Sequence, residues 1–481
     1  MRLTATCLFA TALLAAIAYL RPPEYDEAYS IFLTAGHARP LWPTGIFQPA
    51  DVAALFHGPA SLRGIAQDLR TGDVHPPVYF WALDLWRLIF GPSWFTARMF
   101  SVLVAIITLA TTAKLAKLVK VPQNPVIIIT CLAYGFAYTS TIARGFGLAE
   151  CLNIIGFALV MRSRIADDPA ATSLAIAAGL AFAAASFSNY LACFTAIATI
   201  GWFAFEKPRI AFSSACAFAL SIPLDLSFFI DQHASRTGQF PPFDLMHATA
   251  LLLRDEGAAL FGGLPIYAGA AGPVVTSMLS IFSAACAYYV YRDRTPETML
   301  LVVVASATPL GLLALGVIFD NTPIEIRYCA FSLPFIAILL AQSLPLNLRD
   351  AVMAIEVLAI IGLAIAPATM QPQGRAAHEA AANHPDVTLV PFGNDGVGIP
   401  GPFIAAAPPD MRIALVPGNI LPDLTGVKKV TLATIGIDNA SKAYLPALES
   451  QLAANWQLVN ATSLTQTYVK RTANQQAQAN Q

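Results

Sequence analysis

Long apolar runs separated by short polar loops make up the first three quarters of the chain. They fall at roughly 3–20, 98–113, 126–143, 146–161, 171–190, 191–205, 210–229, 264–290, 298–318, 329–345 and 351–369. These are about eleven segments, each near the length at which a helix crosses ~30 Å of hydrocarbon. After residue 370 the pattern shortens. "HPDVTLVPFG", "MRIALVPG" and "KKVTLATIG" predict strands ended by Gly or Pro turns. "SKAYLPALESQLAANW" predicts an amphipathic helix with Ser441 as its N-cap, and "TSLTQTYVKR" a returning edge strand. The closing "ANQQAQANQ" predicts a disordered tail over 473–481. The expected fold class is an α-helical polytopic membrane protein with a small C-terminal α/β domain outside the membrane. Residues 1–370 form the transmembrane domain and 371–472 the α/β domain.

The loops orient the spans. With the N-terminus in the cytoplasm, the loops that fall inside are "KLAKLVK" (114–120), "MRSR" (161–164), "EKPR" (206–209), "YRDR" (291–294) and "NLRD" (347–350), and each contains Lys or Arg. The outside loops up to residue 370 contain Arg and no Lys. Short basic loops stay on the cytoplasmic side, so the C-terminal domain is expected on the other side, periplasmic if the membrane is a bacterial plasma membrane. "AIA" at 16–18 resembles a signal-peptidase site, but the run lacks a strongly basic start. An uncleaved first helix is the expectation.

Composition sharpens the class. Of 481 residues 56% are hydrophobic and only 12% charged, half the charge of an ordinary soluble domain. The formal net charge of −1 offers no basic stripe for nucleic acid. The seven cysteines lie in or beside apolar runs with no CxxC, and they read as small hydrophobes.

The first outside loop, 21–97, is long. Its aromatic segment 78–90 is short for a span and carries Asp84 and Arg87. A helix over 76–90 lying in the interface is expected, with Trp81 and Trp86 at headgroup depth and Pro76 and Pro77 in its first turn. Ionisable groups from distant segments share this outside face: Asp26, Glu27, His75, Arg98, Arg144, Glu150, Glu325 and Arg327. Each has a plain reading, as a snorkelling Arg, a capping Glu27, a turn His75 or a local Glu325–Arg327 pair. So many opposite charges on one face favour a site. A carboxylate there takes a proton from an attacking hydroxyl, and guanidinium forks hold a phosphate.

These residues lie in stretches that match a known pattern: "YDEAYS", "GDVHPPVYFWALDLWRLIFGPSWFTARMFSVL", "TSTIARGFGLAE" and "IEIRYCAFSLPFIAILLA". The chain resembles the GT-C superfamily of polytopic glycosyltransferases. It is most similar to the family 39 group of protein O-mannosyltransferases, the lipid A aminoarabinose transferase and related bacterial enzymes. The resemblance implies a polyprenyl-phosphate-linked sugar donor and a lipid, glycan or protein acceptor, with membrane lipids around the protein. It implies Asp26 as the catalytic base or an acceptor-orienting carboxylate with Glu27 beside it, and His75, Arg144, Arg327 and Tyr328 at the donor phosphate or sugar. Arg98, Glu150 and Glu325 are further candidates. His233 and Arg236 belong to loop 230–263, which is long enough to cover the site. No His or carboxylate cluster has metal-ligand spacing, and no metal or other cofactor is expected. A transporter or flippase of lipid-linked sugars, or a membrane-anchored binding protein, are the alternatives.

Overall fold

The structure, a computed structural model, describes residues 3–232, 240–365, 372–393, 395–436 and 439–471. His233, Arg236 and the tail expected at 473–481 lie outside the described residues. The chain divides into two compact units. One comprises Met1–Leu20, Leu62–Arg87 and Phe95–Ala368; the other comprises Arg21–Ser61, Leu88–Trp94 and Thr369–Gln481.

The first unit is helical and embedded in the membrane. Among the described residues, seven helices are long and apolar enough to span a bilayer, or eight if the pair Pro208–Phe218 and Ile222–Asp231, bent by 44°, forms one. This is fewer than the eleven apolar runs, because several runs break. The run 126–143 divides at Ala133, whose extended ψ of 122° separates α6 (Gln123–Leu132) from α7 (Tyr134–Thr139). Likewise α10 (Ala192–Glu206) stops after 15 residues. Small residues let the remaining helices approach closely. Gly156 of α8 (Phe146–Ser163) receives the Phe182 ring of α9 (Asp168–Ser186), where an added Cβ would stand 2.7 Å from Cε1. Gly179 of α9 faces the Ser214 carbonyl of α11 (Pro208–Phe218), 2.3 Å from where its Cβ would lie. Phe157 and Phe335, both fully buried, meet edge-on at 5.1 Å in the same core.

Ion pairs gather the basic loops at one end of this unit. Arg164 binds Glu206 at 2.5 Å and Glu297 at 3.0 Å. Asp293 accepts from Gln342 Nε2 at 2.9 Å and from the Ser343 hydroxyl at 3.2 Å. Four of the five basic loops are thereby joined, or lie next to residues that are. Arg164 is the C-cap of α8, and Arg144 lies two residues before its first residue, Phe146. At 1.5 Å per residue an 18-residue helix spans about 27 Å, so these two arginines mark opposite ends of one helix.

The second unit holds a six-stranded sheet in the order β1-β3-β2-β4-β6-β5. The strands are β1 (Ile46–Phe47), β2 (Val387–Pro391), β3 (Ile413–Val416), β4 (Lys429–Ala433), β5 (Trp456–Ala461) and β6 (Thr465–Lys470). β2 lies parallel to β3 and β4; the other pairings are antiparallel. Two details differ from the sequence reading. β6 is interior, because a tight turn at Thr462, whose hydroxyl accepts the N–H of Leu464 and Thr465, folds β5 back as the edge. Ser441 is buried and stands third in the helix Asn439–Asn455, inside its first turn rather than before it. The early loop also contributes more than a tether. Ile46 pairs with Ala414 and Phe47 with Ile413, and α2 (Tyr25–Thr34) packs Ala28 and Phe32 against Gly401. Residues 21–61, read from sequence as part of the membrane domain, thus fold with the C-terminal sheet.

Candidate active site

In the helical unit, the five residues 73–77 link α3 (Leu62–Gly72) to α4 (Val78–Phe90). The two prolines precede α4 instead of entering it. This link is anchored through its backbone. The Val78 N–H donates to Phe187 O at 3.2 Å. Gln232 Nε2 donates to the carbonyls of Leu69 and His75, at 3.0 and 2.9 Å.

The link presents Asp73 and His75 to Arg144. The guanidinium grips Asp73 in a fork, Nη1–Oδ2 2.9 Å and Nη2–Oδ1 3.1 Å. His75 Nδ1 lies 2.8 Å from the same Oδ1. A carboxylate only accepts, so Nδ1 carries the proton and donates to Asp73; the approach of Arg144 Nη2 to Nδ1, 3.2 Å, is then a close contact between two donors. All three side chains are buried, with no more than 9% of any residue exposed. Burial opposes ionisation of Asp73, but Arg144, His75 and the Val74 N–H together outweigh it and hold the carboxyl below its usual range.

Arg144 reaches this position from the short turn between α7 and α8. Ser101 Oγ fixes that turn by donating to Ile142 O at 2.6 Å. Gly145 lets the Ser188 carbonyl come close, since a Cβ there would meet it at 3.0 Å.

Phe146 extends the cluster. Its ring meets His75 edge-on at 5.7 Å and Tyr328 at 5.8 Å. The Arg327 guanidinium stands 5.7 Å from the Phe146 centroid and 5.5 Å from that of Tyr328, and it pairs with Glu325. His75, Arg144, Glu325, Arg327 and Tyr328 therefore come together, as a charged and aromatic cluster drawn from three distant segments.

Asp73 and Phe146 were missed by the sequence reading. Both sit inside the quoted motifs, Asp73 two residues before His75 in "GDVHPP" and Phe146 two after Arg144 in "ARGFG". An acid two positions before a histidine in a link that starts from Gly was the available signal.

The other charged residues named from the sequence in this unit are also buried. Arg98, 3% exposed, donates to Ala18 O at 2.9 Å, where it binds a C-terminal carbonyl of α1 (Leu3–Leu20). Glu150 is buried within α8, and neither carboxyl oxygen makes a hydrogen bond. Asp84 and Arg87, expected as interfacial charges, are buried at 4% and 6% exposure because α4 turns that face inward.

In the second unit the adjacent carboxylates diverge. Glu27 is fully buried and accepts the N–H of Glu24 at 3.1 Å, one half of a capping box, while Arg21 pairs with Glu24 at 2.7 Å. Its geometry is that of a helix cap. Asp26 stands in the first turn of α2 and is partly exposed.

No family profile and no curated protein sequence matches the chain. Solved structures do. ArnT from Cupriavidus metallidurans in the apo state aligns over 97% of both chains with a TM-score of 0.50 and 11% identity. The chain shares the fold of ArnT. The same ArnT bound to undecaprenyl phosphate aligns over 98% of both chains, with a TM-score of 0.49 and 11% identity. The archaeal oligosaccharyltransferase AglB from Archaeoglobus fulgidus, in complex with an inhibitory peptide and a dolichol-phosphate, aligns over 97% of this chain and 74% of its own, with a TM-score of 0.38 and 11% identity. At such identity the likeness extends to the fold, while the GT-C scaffold's chemistry resides in its sites.

Proposed function

We propose that the protein is an integral-membrane glycosyltransferase. It takes a sugar from a polyprenyl-phosphate donor on the non-cytoplasmic face, in a bacterial inner membrane, and attaches it to a hydroxyl of a lipid, glycan or protein. The observation that carries this reading is the buried Asp73–Arg144–His75 constellation joined through Phe146 to Tyr328 and Arg327. A polyprenyl phosphate leaves with one phosphate to stabilise, and oriented guanidiniums supply that stabilisation at little reorganisation cost. Arg144 and Arg327 are assigned to the phosphate, and His75 and Tyr328 to the sugar side of the same cluster. Asp26 is assigned as the base that accepts the proton of the attacking hydroxyl, whose direct attack opposite the departing polyprenyl phosphate inverts the anomeric carbon. No step is assigned to a metal.

Two measurements test this. Mass spectrometry of glycolipids and glycoproteins from cells with and without the gene is expected to reveal one missing sugar mass. Asp26→Asn is expected to abolish that mass while protein abundance and membrane insertion persist. Wild-type glycan levels in the Asp26→Asn strain would refute the base assignment.

One observation favours the transporter reading. Glu356 lies mid-way along the helix Leu346–Ile365, fully buried, with no hydrogen bond at either oxygen. Intramembrane carboxyls often mark transport pathways. Detergent-purified protein separates the two readings, because turnover of a polyprenyl-phosphate sugar without a bilayer belongs to a transferase alone.

A further inference from the structure

In the second unit, the helix turn that carries Asp26 rests on chain from the far end of the sequence. Asp395 closes a tight turn there, its Oδ1 accepting the N–H groups of Val397 and Gly398, each at 2.9 Å. Two outside donors fix the same turn. Trp42 Nε1 donates to Gly396 O at 2.6 Å, and Gln373 Nε2 donates to Gly398 O at 3.1 Å.

Gly398 is the contact with α2. The Tyr25 ring lies against it so closely that an added Cβ would stand 2.5 Å from Cε2. Tyr25 and Tyr29, one helical turn apart, meet with centroids 5.8 Å apart. Tyr25 and Tyr29 share one face of α2, and Asp26, three residues before Tyr29, lies at the edge of that face. Asp395, 8% exposed, reaches both phenols electrostatically as well. Its Oδ2 is buried without a hydrogen bond of ordinary geometry. Burial first, and then the neighbouring phenol and Asp395, raise the Tyr25 hydroxyl far above its ordinary range; burial and Asp395 do the same for Tyr29. Both hydroxyls therefore remain protonated.

We infer that Asp395 is a positioning residue for the transfer reaction: by closing the 395–398 turn against Tyr25 and Tyr29, it fixes the helix turn that bears Asp26. The inference rests on the assignment of Asp26 as base. It makes the C-terminal segment a working part of the catalytic apparatus, in place of a passive cover.

The test uses the full-length protein in native membranes, with a lipid extract of host membranes as the donor source. Transfer is read as the sugar mass added to the acceptor. Asp395→Ala removes the acceptor for both turn N–H groups. It is expected to lower the rate at saturating donor roughly tenfold or more while the half-saturating donor amount changes by less than about twofold. Asp395→Asn retains an oxygen for those N–H groups and is expected to keep most of the rate. Gly398→Ala drives its methyl into Tyr25 and is expected to act like Asp395→Ala. Adding Tyr25→Leu removes the clash and is expected to recover part of the loss, which a general loss of stability would not do.

Wild-type rates in both Asp395→Ala and Gly398→Ala overturn the inference, as does a fall confined to half-saturation. Should Asp395→Ala misfold, the Gly398→Ala and Tyr25→Leu pair decides. If Asp26→Asn is inactive and the Asp395 and Gly398 variants are fully active, only the inference falls. If Asp26→Asn is itself fully active, the base assignment falls and takes the inference with it.

Discussion

Arg144 and Asp73, far apart in sequence, form a two-pronged ion pair at 2.9 and 3.1 Å, both prongs inside the helical unit. The carboxylate has a second duty, since it also takes the Nδ1–H of His75. One aspartate thus orients Arg144 and His75, two of the groups assigned to the donor, and its loss affects stability and transfer together.

The stability effect has a sign in pH. Asp73 is held below its ordinary carboxyl range, because Arg144, His75 and Val74 outweigh the opposing effect of burial. A carboxyl depressed in the folded state stabilises the fold above its unfolded pKa, about 4, and loses that contribution as pH falls toward the folded value. Asp73→Asn leaves a buried guanidinium uncompensated, at a cost of about 3–5 kcal/mol. Thermal midpoints in detergent are expected to show the wild type well above Asp73→Asn at pH 7, with the gap starting to close below about pH 4. A gap that stays constant from pH 7 to pH 3 contradicts the ion-pair account.

Arg144→Lys keeps the charge and loses the fork. A lysine ammonium is a compact point charge and does not reproduce a bidentate contact. Donor turnover, measured as the rate per unit of donor at limiting donor, is expected to fall roughly tenfold or more, equivalent to about 1.4 kcal/mol. Rates within twofold of wild type argue that the fork is dispensable.

The neighbours Asp26 and Glu27 are expected to separate cleanly. Glu27 caps α2 through the Glu24 N–H, so Glu27→Ala is expected to cost about 0.5–2 kcal/mol of stability. Glu27→Gln still accepts that bond and is expected to retain transfer. Abolished transfer in a well-folded Glu27→Gln protein would return Glu27 to the chemistry.

Helix packing gives a prediction independent of function. A methyl at Gly179 meets the Ser214 backbone carbonyl at 2.3 Å and the Ala217 Cβ at 2.6 Å. Backbone cannot rotate away as a side chain can, so α9 and α11 must separate. Gly179→Ala is expected to destabilise by about 1–3 kcal/mol, visible as lower yield and a lower thermal midpoint. At Gly201, where an added Cβ meets nothing within 4 Å, alanine is expected to be neutral or stabilising.

Hydrophobic length and loop charge were enough to read a polytopic helical protein. The joining of Arg164 to Glu206 and Glu297 agrees with the grouping of the basic loops. Exact spans were less legible, because a break such as Ala133 leaves the apolar run intact while changing one ψ angle. His75, Arg144, Arg327 and Tyr328 were visible through motif residues. Asp73 escaped because a buried ion pair depends on which chain segment lies opposite, and spacing along one segment carries no record of that. The early strand β1 escaped for the same reason: two residues have no period of their own, and only the β3 backbone across from them makes them a strand.

That strand has a consequence for biogenesis. Ile46 and Phe47 leave the ribosome long before their hydrogen-bonding partners Ile413 and Ala414 exist, with nearly every membrane helix made in between. Loop closure over such a separation is slow. Until synthesis is nearly complete, α2 therefore waits without the Gly398 and Gly401 surfaces that receive its aromatic rings. A polypeptide terminated early would insert its helices and still display an unhoused Asp26 segment.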